Sequence, residues 1–101
     1  RLMETIKTQI DGKQWTIHLL TRRQWKREQL PEDTWGWCDR FARTIHVRRD
    51  LAKETVLDTL VHELIHAENE LLFEAEEVVT RMGTDIAKAL LATGRVFVLV
   101  D

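Results

Sequence analysis

No glycine or proline interrupts the chain between Thr55 and Ala67, and within that run His62-Glu63-Leu64-Ile65-His66 sets two histidines four residues apart. On a helix this spacing stacks two imidazoles one turn above each other, where both can hold one metal ion. Glu63 is rotated by about 100° from His62, so it flanks such an ion without having to bind it. A carboxylate in that place can serve as general base toward a water on the metal, the arrangement used in metal-assisted peptide hydrolysis. The five-residue pattern alone recurs by chance, so its surroundings must carry the reading.

Those surroundings predict an amphipathic helix. Leu57, Leu60, Leu64 and Ala67 gather on one side of a helical wheel with Val56 and Val61 beside them, and Asp58 and Thr59 fall on the histidine side. Thr55, followed three residues later by Asp58, is the expected N-cap with its capping-box partner.

A catalytic zinc usually takes three protein ligands and leaves a fourth position for water. The chain has only four histidines, none of them after His66, and Cys38 is its single thiol. Asn69 and Leu72 stand where a metzincin continuation needs glycine and histidine. A downstream carboxylate is the remaining route, from among Glu68, Glu70, Glu74, Glu76, Glu77, Asp85 and Asp101. A second helix is expected over about 74–92, with Val79, Met82, Ile86 and Leu90 as its buried stripe and Gly83 beside it. Glu76 falls on the stripe's side, while Glu77 and Glu74 turn out. A carboxylate on a core-facing stripe needs a partner, and a metal is one. Glu76 therefore leads, with Glu77 next, because helix phase near a terminus is easily out by one residue.

With these residues in place, the chain resembles a zincin-type metallopeptidase domain of the glutamate-ligand kind. It is most similar to small single-domain bacterial and phage proteins related to the IrrE/ImmA-like and SprT-like groups. Glu76-x-x-Val79-x-x-Met82-Gly83 is similar to the Glu-x-x-Ala-x-x-Phe-Ala pattern that carries the third ligand in IrrE/ImmA-like proteins. The run from Thr34 to Arg48 fits the glycine-containing turn and strand that precede the active-site helix in such domains. The resemblance spans about residues 34–92. It implies zinc on His62, His66 and Glu76, Glu63 as the catalytic base, and a protein or peptide substrate. Two departures stand out: only nine residues separate His66 from Glu76, requiring a tight turn near Asn69–Leu72, and the chain has no tyrosine to steady an oxyanion.

Length bounds the rest. A chain of 101 residues with 44% hydrophobic content fits one domain, 1–101, with one modest core. A net charge of −2 gives no general field for nucleic acid or an acidic membrane surface. One cysteine excludes an internal disulfide and suits a reducing compartment, so a cytoplasmic monomer is expected. No stretch has the apolar length of a membrane span, and no secretory h-region is visible. The chain opens on Arg1, so its natural start can lie upstream.

Met3–Ile10 and Gln14–Leu20 alternate around Asp11-Gly12 and read as a β-hairpin. Thr21–Leu30 is expected to form a short helix capped by Thr21 and stopped before Pro31. Thr44–Arg48 reads as a strand with Ile45 and Val47 on one side, and Arg95–Val100 as a final strand. The expected fold class is α+β, a minimal zincin-like domain whose small, mostly antiparallel sheet packs against the active-site helix and a second, C-terminal helix. Strand 44–48 is expected at the sheet's edge, where it can hold substrate by β-augmentation.

The basic run Arg22-Arg23-Gln24-Trp25-Lys26-Arg27 has the makings of a nucleic-acid patch, but Glu28, Glu32 and Asp33 cancel its charge. It reads instead as a solvated helix face with Trp25 anchored in the core. His18 and His46 are expected away from the site, and Cys38 in a loop or half-buried. Two functions follow from different classes: a zinc-dependent metallopeptidase with Glu63 as general base, and a non-catalytic, zinc-stabilised protein-binding or regulatory module. A DNA-associated role rests on analogy with SprT-like proteins alone.

Overall fold

Alternating apolar and polar residues build the first half of the sheet. In the computed structural model, which describes residues 4–69 and 75–93, β1 (Glu4–Ile10) and β2 (Lys13–Leu20) pair antiparallel. Asp11 and Gly12 join them at φ 51° and 71°, and positive φ at both central residues gives a two-residue turn the twist a hairpin needs. Trp15, Ile17 and Leu19 then share one face of β2 and enter the core. Thr21 caps α1 (Arg22–Arg27) in a reciprocal box, accepting from the Gln24 amide while the Gln24 side chain accepts from the Thr21 amide. The helix is shorter than expected, because Gln29 adopts φ 58° and turns the chain before Pro31. Trp25 is buried, and its indole N–H donates to the Pro31 carbonyl at 2.9 Å.

Two further strands complete the sheet, β3 (Gly36–Asp39) and β4 (Thr44–Arg48), in the order β1-β2-β4-β3. The β1–β2 and β3–β4 pairs are antiparallel and β2–β4 is parallel. The α+β class and the mostly antiparallel sheet are as the sequence implied. The position of strand 44–48 is not: β4 lies between β2 and β3, so its backbone is paired on both sides and it offers no edge. Among the described residues the free edge beside the helices is β3, a strand too short and too irregular in hydropathy to be read from the sequence.

Helix α2 (Lys53–Glu68) covers the inner face of β3 and β4. Val56, Leu60 and Ala67 meet Ile45, Val47, Ile17 and Leu19 there, with Leu51 and Leu64 packed at the margin. The N-cap expected at Thr55 is absent. Nothing upstream breaks the helix, whose hydrogen bonding begins with Val56 N to Ala52 O at 2.9 Å; Ala52 is the N-cap and makes no side-chain cap bond. Thr55 and Asp58 are freed for the opposite face of the helix.

Helix α3 (Glu76–Ala92) packs on α2. The stripe it buries is Val79, Gly83 and Ala87, not Val79, Met82, Ile86 and Leu90. Met82, Ile86 and Leu90 remain 36%, 41% and 37% exposed. Small residues carry the contact because they let two helix backbones approach closely: a Cβ built on Gly83 would lie 3.4 Å from the Cα of His62. The expected strand Arg95–Val100, the start of the first strand at Met3 and most of the turn Asn69–Leu72 lie outside the described residues. No helix among the described residues is long and apolar enough to cross a membrane.

Candidate metal centre

The polar face of α2 carries Asp58, His62 and His66 on successive turns, and α3 brings Glu76 against them. The Nε2 atoms of His62 and His66 are 3.2 Å apart. One oxygen of Glu76 lies 3.2 Å from His62 Nε2 and the other 2.6 Å from His66 Nε2. Three side chains from two helices thus turn their donor atoms to one point. Corrected helix phase explains why Glu76 survives as a candidate: it precedes Val79 by three residues and Gly83 by seven, on the same face of α3.

Glu63 takes a different place. It is 8% exposed, and burial, with the nearby charge of Glu76, pushes its carboxyl up to about 7. One of its oxygens and one nitrogen from each histidine all lie within 4.8 Å of one another, and this His-Glu-His group could hold a metal ion. Of the two carboxylates near the imidazoles, Glu76 makes the shorter contacts and reaches both rings. Glu63 instead packs against Gly36 and Thr59.

The donor set fits a borderline-soft divalent cation. Ligands that share a tetrahedral zinc stand roughly 3.3 Å apart, given zinc–nitrogen distances of about 2.0 Å. The His62–His66 spacing matches this. Burial also holds His62 below the usual imidazole range, which favours the neutral, ligating form.

Two elements outside the motif hold it in place. Arg40, in the β3–β4 turn, donates from Nη1 to the carbonyls of His66 (2.5 Å) and Ala67 (2.9 Å), satisfying the last turn of α2. Thr84 of α3 donates its hydroxyl to Asp58 at 3.0 Å and ties the two helices beside His62. Neither contact was evident in the sequence, since both join residues 26 positions apart.

The centre opens into a cleft of about 720 Å³ between β3 and the two helices. Trp35 and Trp37 also border it and stay 52% and 42% exposed, Trp37 lying opposite His46 in the sheet register. Cys38 also lines it, but as a buried strand residue rather than a loop residue, and burial pushes its thiol up to about 12. His18 and His46 do not join the site. They sit side by side on the outer face of the sheet, ring centroids 4.9 Å apart.

Among the other carboxylates considered, Glu77 and Asp85 are exposed along a second groove on α3, and Glu68 is exposed at the end of α2. Glu70, Glu74 and Asp101 lie outside the described residues. Compared with known proteins, the chain matches no family model, no curated protein and no solved structure.

Proposed function

We propose that the protein is a zinc-dependent metallopeptidase that cleaves an extended segment of a protein or peptide. The observation that carries this reading is the meeting of Glu76 with both Nε2 atoms at 2.6 and 3.2 Å, beside a buried Glu63 that faces the same cleft. A merely structural site has no use for a second, buried carboxylate that faces the cleft beside its three ligands.

His62, His66 and Glu76 would hold the zinc. Zinc in that position supplies Lewis acidity, making a water easier to deprotonate and a carbonyl easier to attack. Glu63 takes a proton from the attacking water on a carboxylate oxygen and passes it to the leaving amine. Its burial beside the histidines keeps that oxygen within reach of a water in the cleft. The free edge of β3 offers backbone donors and acceptors to an extended chain, the role first assigned to strand 44–48. Trp35 and Trp37 would grip apolar side chains along it.

One observation favours a second reading. The chain has no tyrosine, so the phenol that often stabilises an oxyanion in glutamate zincins is missing. A zinc-stabilised binding module would account for that.

Glu63→Gln separates the two readings. Zinc content and fold should be retained while hydrolysis of an unfolded-protein or peptide-library substrate falls by about two orders of magnitude or more. Equal activity in both forms would refute the proposed mechanism, and a zinc-loaded wild type that cleaves nothing would leave the binding module as the better account.

A further inference from the structure

The glycine at the start of β3 is unusual in its position. Glycine inside a strand normally weakens it, and it is kept where a second group must approach the backbone. Gly36 is not among the positive-φ residues, so its backbone does not require glycine. Space does. A Cβ on Gly36 would lie 2.7 Å from an oxygen of Glu63, 2.7 Å from the Thr59 methyl carbon and 2.9 Å from Glu63 Cγ. These distances are too short for carbon. Thr59 has only two χ1 rotamers open to it on a helix, so its methyl can relieve the clash on its own side of the slot but not the one with Glu63. The flexible partner is Glu63, so any side chain at 36 must displace its carboxylate.

Pairing shows why this strand position faces the base. Gly36 sits opposite Val47 and Cys38 opposite Ile45, so 36 and 38 share the inward face that meets α2. Trp35 and Trp37 alternate outward. The Glu63 carboxylate is thus held directly against the backbone of β3, whose outer edge borders the cleft and is unpaired among the described residues.

We infer that Gly36 is a positioning residue for Glu63: the missing side chain at 36 leaves the slot, closed on its other side by Thr59, that fixes the carboxylate within reach of a substrate on the β3 edge. The inference rests on the peptidase reading for its catalytic consequence, but not for its geometry. It accounts for a base that is almost wholly buried and yet open to the cleft, and it makes the distance between base and substrate backbone a property of β3. The slot itself is formed by Glu63, Thr59 and β3, while a Glu63 oxygen also lies within 4.8 Å of a nitrogen from each histidine, so zinc affinity has to be read beside base placement.

The test is Gly36→Ala, alone and combined with Thr59→Ser, in zinc-loaded protein. Gly36→Ala should lower kcat by about 100-fold, the loss expected for a displacement near 1 Å, with little change in KM or zinc affinity. Thr59→Ser removes the methyl carbon that closes the slot, so in the Gly36→Ala background it should restore part of the lost kcat. A readout independent of turnover is the carboxyl carbon resonance of Glu63, which Gly36→Ala should shift while that of Glu76 stays in place. An unmoved Glu63 resonance, or wild-type kcat in Gly36→Ala, overturns the inference. Should the wild type hydrolyse nothing, the peptidase reading falls, and the Glu63 resonance still decides whether Gly36 sets the carboxylate's position.

Discussion

Gly83 lies against the backbone of His62: a Cβ at 83 would meet the amide nitrogen and the Cα of His62, each at 3.4 Å. The two helices therefore touch at the first metal-site histidine, and the distance between them there sets where Glu76 arrives, two turns earlier on α3. Gly83→Ala adds one methyl at a tolerable distance and removes a glycine from a helix interior, worth up to about 1 kcal/mol. We expect it to keep zinc and to melt at the same temperature or higher. Gly83→Val adds two further carbons against His62 and should push α3 outward, weakening zinc binding about tenfold or more. Zinc titration and thermal melting of the pair check this; equal zinc affinity in both would show that the spacing does not govern the site.

Exchange of adjacent glutamates tests the third ligand. Glu76→Gln should weaken zinc affinity far more than Glu77→Gln, since Glu76 reaches His62 and His66, while Glu77 lines only the outer groove and not the cleft. Competition with a chelator gives both affinities. The reverse ranking would place α3 one residue out of phase.

Arg40→Met should destabilise the protein by about 1–2 kcal/mol, the scale of charge-assisted hydrogen bonds lost from carbonyls at a helix end. Urea denaturation of the zinc-loaded protein measures it. A larger effect on zinc affinity than on the stability of the zinc-free form would show that the guanidinium fixes His66 in particular.

Acid sensitivity should come partly from the histidine pair on the outer face of the sheet. Burial, the main cause, and His18 beside it hold His46 below the ordinary value of 6.5, although Glu28 and Asp39 pull the other way. His18 is also lowered by burial. For a histidine lowered on folding, the unfolded chain takes up the proton first. The stability involved is present above pH 6.5 and is lost as pH falls from there toward the folded value. His46→Gln should flatten this part of the stability–pH curve in zinc-loaded protein. A curve unchanged between pH 7 and 5 would assign the acid sensitivity elsewhere.

The parts legible in the sequence are those fixed by local periodicity. Asp11-Gly12, the Thr21 cap, strand Thr44–Arg48 and the apolar back of α2 are decided by neighbours within a few residues, and each appears close to where the pattern puts it. Glu76 was singled out from a stripe that the structure does not bury, and its side chain is 62% exposed; it contacts both histidines because it lies on the Val79–Gly83 face. What stayed hidden depends on contact between distant segments. The phase of α3 is set by Gly83 and Ala87 meeting α2, whereas hydropathy points to Met82, Ile86 and Leu90. The edge of the sheet is decided by the β2–β4 pairing, which leaves no trace in either strand alone. Gly36 carries no signal until Glu63 is placed against it.

The parallel pairing of β2 with β4 divides the chain in a further way. It joins Thr16 to Thr44 and Leu20 to Arg48, whereas every other strand contact lies within a hairpin. Among the described residues the sheet is thus two locally formed ribbons held by one long-range seam, and closing such a seam carries the larger loop entropy. The cleft edge, the Arg40 clamp, the histidine helix and the Glu76 helix all fall on the C-terminal side of it, in one continuous stretch. The first hairpin and α1 act as a buttress behind them. The residues of the candidate centre thus come from one continuous stretch, and the hairpin contributes to it only through the β2 side of the seam and the core beneath α2.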